Sequence, residues 1–289
     1  GKLSFQKADT GKSFQRMIDY FCSLKEYELP ELFIATGDLS EGGTREGYQV
    51  VKEGFQKLPR PVFVVPGNHD KRDFFLEMFP EEAPAEKEIQ PYICYTIDEY
   101  PVRIIVADTS KPNCHWGGAS EEVMDWLKRK IVEYPEKPTM VFTHHPPFHT
   151  GLPAMDEGFD HAEQFAEILM DRFPEVIAEI LCEHENIHLC CGHMHTTIFT
   201  NWKGIPCTVC PSVSMQMEVD FRHKNDVTVT KEERAENFKG GGDRFFLGNP
   251  GYLLHVLQEE RINTYEITIP SGADYSGPWP FIYYEGEED

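Results

Sequence analysis

No stretch of this chain is apolar over the roughly 18 to 20 residues that a bilayer-spanning helix requires, and no charged-then-apolar leader opens it. The expectation is a soluble protein with no membrane partner. Basic residues are scarce: Lys and Arg number 27 against 49 Asp and Glu, for a formal net charge of -22. A protein that binds nucleic acid by neutralising phosphates is therefore disfavoured, and no basic helix or strand face marks a nuclease. A small anionic ester is not disfavoured in the same way, because bound dications dominate the field around them.

The eight cysteines lack the even, loop-flanked spacing of a secreted disulfide framework, so reduced thiols and a cytoplasmic setting are expected. Cys207 and Cys210 form one C-x-x-C inside an apolar run with no second pair. That arrangement reads as structural, not as a zinc or redox motif.

What the chain does have is a repeated grammar. A helix-spaced segment from Ser13 to Lys25 precedes the apolar run Leu32–Ala35, which ends at Gly37-Asp38. Gly11-Lys12-Ser13 lacks the upstream glycine and strand of a phosphate loop and reads as the start of that helix. A helix from Arg45 to Phe55 leads to a strand Val62–Val65 and to Gly67-Asn68-His69-Asp70. A hairpin of Tyr92–Ile97 with Val102–Val106 and a helix over Glu121–Ile131 follow. Strand Thr139–Thr143 then runs into His144-His145-Pro146-Pro147. Helices are predicted over Ala162–Asp171 and Glu175–Cys182, and strand Ile187–Cys190 leads into Gly192-His193-Met194-His195. Later strands are predicted at Ile198–Trp202, Ile205–Val209, Tyr252–Leu257 and Ile262–Ile269. The charged, glycine-ended segment from Asp220 to Gly242 reads as a surface excursion.

Early alternation of strand and helix followed by strand pairs predicts an α/β fold, a two-sheet sandwich flanked by helices. Residues 1–270 are expected to form the main domain. Residues 271–289 form a C-terminal cap or tail whose aromatics carry more apolar surface than a monomer exposes, and which is expected to dock.

Each polar cluster follows an apolar strand, so all should emerge on one rim of a sheet, where α/β folds place ligands. Asp38 offers a carboxylate that can bridge two cations. Asn68, His144, His193 and His195 offer neutral oxygen and nitrogen ligands. This donor set suits iron, zinc or manganese better than calcium, which takes oxygen alone. Singly, a Gly-Asp turn or a histidine pair is usually a surface feature; four such clusters in order point to a metal site.

Through Gly37-Asp38, Gly67-Asn68-His69-Asp70, His144-x-Pro146 and Gly192-His193-x-His195, the chain from Leu32 onward resembles the calcineurin-like metallophosphoesterases. Within them it is similar to bacterial glycerophosphodiesterases and class III cyclic-nucleotide phosphodiesterases. The resemblance implies two divalent metal ions. Asp38 would bridge them, Asn68, His144 and His193 would complete one site, and His195 would serve the other. A hydroxide bridging the metals would attack a small phosphodiester. His69 would be general acid or charge stabiliser with Asp70 orienting its ring, and His145 has no assigned role. The resemblance also implies a homo-oligomer built with the C-terminal region.

The family's first strand ends in Asp-x-His, yet the first histidine here is His69. Asp9 has no partner histidine and is a poor replacement. The expectation is that the sequence begins after that strand, and the alternative reading is a metal-binding regulatory protein with an incomplete dinuclear site. His115-Trp116 and Phe148-His149 are candidate pocket residues, with core or edge roles at least as natural.

Overall fold

A computed structural model describes residues 8–152, 155–156, 158–170, 187–219, 245–259 and 261–270. Along the chain its helices are α1 (Thr10–Ser23), α2 (Arg45–Phe55), α3 (Arg72–Met78), α4 (Glu121–Ile131) and α5 (Ala162–Met170). Its first eight strands are β1 (Phe33–Ala35), β2 (Val62–Val64), β3 (Tyr95–Ile97), β4 (Arg103–Val106), β5 (Gly117–Gly118), β6 (Thr139–Phe142), β7 (Phe159–Asp160) and β8 (Ile187–Cys191). Then come β9 (Ile198–Trp202), β10 (Ile205–Val209), β11 (Gln216–Met217), β12 (Phe245–Phe246), β13 (Gly251–Gln258) and β14 (Arg261–Thr268).

The helices start where the sequence supplies a cap. The Asp9 carboxylate accepts from the Lys12 N–H at the head of α1, so Gly11-Lys12-Ser13 is indeed a first helical turn and Asp9 a cap. Thr44 caps α2 and Ser120 caps α4 in the same way. In α4 the buried residues Val123, Trp126, Leu127 and Ile131 recur at helical spacing and form the face that packs on the sheet. Burying each such large apolar side chain contributes about 1.5 to 3 kcal/mol.

The central sheet has six strands in the order β3-β4-β6-β8-β10-β9. Its four inner strands are parallel, and β3 and β9 run antiparallel at the edges. β4, β6 and β8 are buried at every position, as continuous apolar runs in a parallel sheet should be. One face packs Ile105, Val141, Leu189, Cys191 and Val209 against α4 and α5. The other packs Ile104, Val106, Met140, Phe142 and Cys190 against β2 and α1 to α3.

The second strand layer consists of the parallel pair β1–β2 and the antiparallel hairpin β13–β14. Phe21 of α1 joins them, its ring centroid 4.6 Å from Phe33 on β1 and 4.9 Å from Tyr252 on β13. Two strand layers with helices outside give the α/β sandwich expected from the sequence. Residues 175–182, 220–242 and 271–289, for which a helix, an excursion and a tail were expected, lie outside the described residues. Among the described residues no helix is long and apolar enough to cross a membrane.

Candidate metal centre

Because β4, β6, β8 and β10 are parallel, their C-terminal ends share one rim, and β1 and β2 bring theirs to the same place. The loops that leave these strands carry Asp38 after β1, Asn68, His69 and Asp70 after β2, His144 and His145 after β6, and His193 and His195 after β8.

The loops approach closely enough to require glycine. A Cβ on Gly67 would sit 2.1 Å from Asp38 Oδ1, and one on Gly37 would sit 2.4 Å from His144 Nδ1. Asp38, His193 and His195 themselves adopt left-handed backbone, with φ of 55°, 67° and 49°. Each such residue costs about 1 to 2 kcal/mol relative to ordinary backbone, a strain that clusters where loops are held for function.

His144 is the hub. Its Nδ1 lies 2.7 Å from the Thr36 carbonyl oxygen, which can only accept, so Nδ1 carries the proton. Nε2 then presents its lone pair toward Asp38 Oδ2 at 3.2 Å and Asn68 Oδ1 at 3.1 Å. A lone pair facing two oxygens is stable only with a proton or a metal cation among them. Burial opposes charging the ring, yet Asp38 holds the pKa of His144 above the ordinary imidazole value. Burial likewise opposes the Asp38 carboxylate, but His144 and the His69 N–H, 2.9 Å from Oδ1, hold it well below the usual carboxylate range.

Of the other rim histidines, His193 and His195 are kept neutral, as metal ligands must be. Burial, reinforced by the neighbouring His144, pushes His193 down to about 3. Burial also lowers His195, whose Nδ1 donates to the Met215 carbonyl at 3.2 Å and leaves Nε2 as its lone pair. His145 stands in this cluster too: one ligand atom each from His144, His145 and His193 lie within 4.8 Å of one another. Its Nδ1 lies 3.0 Å from Thr109 Oγ1, while Nε2 is buried with no hydrogen-bond partner among the described residues. Converging lone pairs, an oxygen and nitrogen donor set and an orphaned buried nitrogen all fit divalent metal.

The structure gives two of the predicted residues different neighbours from those expected. The Asp70 carboxylate accepts from the backbone N–H groups of Leu39 and Gly67 and from the Tyr48 hydroxyl, so it clamps the loops after β1 and β2 together. Burial, then the charge of Asp38, pushes its pKa up to about 6. The carboxylate beside the His69 ring is instead that of Glu41, with Oε1 3.3 Å from Nδ1.

Sequence reasoning offered His115 as a candidate pocket residue and left Arg72, Asp108 and Thr109 without a role. His115 lies 3.5 Å from Asn68 Nδ2, with its ring centroid 5.9 Å from that of His69. Arg72 makes a bidentate pair with buried Asp108, whose carboxylate also accepts from the Ile93 and Ser110 N–H groups. Ala107-Asp108-Thr109-Ser110 follows the apolar run of β4, the same strand-then-polar pattern that marked the other loops, and would have pointed to Asp108 and Thr109. Trp116 is 39% exposed and Phe148 packs on Trp202 in the core. Cys207 is buried on β10 with its thiol donating to the Ile205 carbonyl, a structural role.

Residues 7–197 match the family model described as calcineurin-like phosphoesterase. A probable glycerophosphodiester phosphodiesterase GpdQ of Arcobacter nitrofigilis is 32% identical over 289 aligned residues, covering 99% of this chain and 94% of the relative. The 3',5'-cyclic adenosine monophosphate phosphodiesterase CpdA of Escherichia coli is 28% identical, covering 65% of this chain and 62% of the relative. Among solved structures, GAP50, described as the anchor in the inner membrane complex of Plasmodium, superposes with a TM-score of 0.56 at 16% identity, covering 92% of this chain and 84% of that one. This last likeness shows the fold alone.

Proposed function

Because this chain belongs to the calcineurin-like phosphoesterase family, we propose that it hydrolyses a small phosphodiester at the rim holding Asp38, Asn68, His144, His193 and His195. A glycerophosphodiester is the first candidate and a cyclic nucleotide the second. The relative named for glycerophosphodiesters is 32% identical over 99% of the chain, whereas relatives named for cyclic nucleotides are 28% identical over 65% of it and 24% identical over 89% of it. One observation carries the reading: His144 Nε2 meets oxygens from two other loops at 3.1 and 3.2 Å, a convergence of donor atoms that a bound divalent cation would satisfy.

Asp38, Asn68, His144, His193 and His195 are the proposed ligands and would hold divalent iron, zinc or manganese, and His145 is close enough to add a nitrogen. Divalent metal there supplies a Lewis acid that activates water and screens charge growing on the phosphate oxygens. His69 is held by its own backbone, through its N–H to Asp38 Oδ1, with its ring at the edge of the cluster beside His115 and Glu41. It is the proposed proton donor to the leaving alkoxide, and Asp70 positions the loop that presents it.

Hydrolysis of glycerophosphodiesters, cyclic nucleotides and aryl phosphates, compared before and after chelation and metal restoration, tests the proposal. Metal-restored turnover of a diester supports it, and metal-independent or absent turnover of all three overturns it. The cytoplasmic setting is part of the same reading, supported by free thiols at every described cysteine. So is a homo-oligomer built through the aromatic tail. Deleting residues 271–289 should lower the mass seen by light scattering.

A further inference from the structure

The two faces of β8 carry different chemistry. Leu189 and Cys191 enter the core beneath α4 and α5, while His188 and Cys190 point into the layer between the sheets. Across that layer His255 projects from β13. One ligand atom each from His188, Cys190 and His255 lie within 4.8 Å of one another. We propose that these three residues form a second metal site, distinct from the rim centre, which takes one zinc ion and ties the β13–β14 hairpin to the six-stranded sheet.

Three features carry the assignment beyond proximity. His188 is 8% exposed, and its Nε2 is buried without a hydrogen-bond partner among the described residues. Leaving such a nitrogen unpaired is costly, and a coordinated cation offsets that cost. Next, His255 Nδ1 lies 2.9 Å from Thr264 Oγ1 on the paired strand. With its N–H donated there, Nε2 presents its lone pair to Cys190 Sγ, 3.9 Å away. A ligating histidine is typically held by such a second partner on its other nitrogen. Finally, burial pushes His188 down to about 4 and His255 down to about 3, so both rings are neutral at neutral pH.

Two imidazoles and a thiol form a softer donor set than the oxygen-containing rim, and sulfur with imidazole selects zinc among common cellular divalent ions. Burial pushes the Cys190 thiol up, so the free site holds S–H. Uptake of the ion breaks that bond, forms a metal–sulfur bond and releases one proton to solvent; no electron is transferred.

Cobalt(II), which takes zinc sites and reports their ligands by absorption, tests the proposal on the full chain. None of the rim ligands is a cysteine, so a thiolate-to-cobalt charge-transfer band in the near ultraviolet is specific to a sulfur site. The expected result is such a band, lost in both C190S and H255Q, with each variant binding one fewer zinc per chain by elemental analysis. No band in the wild-type protein would mean a plain Cys190–His255 hydrogen bond and would overturn the proposal. A band that survives both variants places the sulfur elsewhere and overturns it equally. Should C190S fail to fold by circular dichroism, H188Q with H255Q gives the same reading with the thiol intact. The readout does not depend on hydrolysis, so it stands or falls apart from the proposed substrate.

Discussion

The two ends of the six-stranded sheet bury charge in opposite ways. At the N-terminal end of β4 the Arg103 guanidinium is 1% exposed, and acidic side chains of the protein itself meet its charge. It pairs with Asp98 at 2.8 Å and Glu133 at 2.6 Å, donates to the Lys130 carbonyl, and lies over the Tyr134 ring at 4.8 Å. At the C-terminal rim Asp38 and four histidines gather with more lone pairs than donors, and three of these residues sit in left-handed backbone. One end resolves its charge within the protein and contributes stability. The other leaves lone pairs that an external cation would satisfy, and the fold supports the strain around it.

That contrast is broken most forcefully at the rim. Asp38→Asn should reduce diester hydrolysis to the level of the chelated enzyme and lower bound metal while leaving the circular dichroism spectrum unchanged. This loss should exceed any from a proton donor, because the shared carboxylate is removed. His69→Ala should keep metal content and lose about 10² to 10⁴ in kcat, with a smaller loss for aryl esters whose leaving groups need no proton. An equal loss across leaving groups would assign His69 to charge stabilisation instead.

At the other end, Arg103→Ala should lower the unfolding free energy in urea while kcat of the folded fraction is unchanged. The expected loss is at or below the ~3 to 5 kcal/mol of a broken buried pair, since the two acids left behind are 36% and 40% exposed.

The smallest effect is a pH slope in the chelated protein. His188 is neutral in the fold until about 4, whereas the unfolded chain takes up its proton near the ordinary value of about 6.5. Between those values the unfolded state binds more protons, so stability should fall as pH drops, by up to ~1.4 kcal/mol per pH unit for this residue. Urea midpoints from pH 7 to 4 should show the slope, and H188L should flatten its share.

Much of the rim was legible from local pattern. Apolar runs ending in Gly37-Asp38, Gly67-Asn68-His69-Asp70, His144-His145 and Gly192-His193-Met194-His195 identify strand ends, and parallel strands must deliver those ends to one side. Asp108 and Thr109 obeyed the same rule but lacked a histidine to draw notice. Glu41 and His115 had no such signal, because each reaches the His69 loop from a segment distant in the chain. Asp70 was expected to orient the ring beside it in sequence, but its side chain turns inward to Leu39, Gly67 and Tyr48.

By itself the sequence determined the layer architecture and the identity of the rim loops, since both follow from periodicity and from the order of strand, turn and polar cluster. Only the tertiary structure decided which atoms face one another. It set the Thr36 carbonyl against His144 Nδ1, which selects the ring's tautomer, and it brought His255 from β13 to His188 and Cys190 on β8. Those outcomes depend on how strands separated by tens of residues stack, and a pattern of neighbouring residues carries no record of a distance across a packed core.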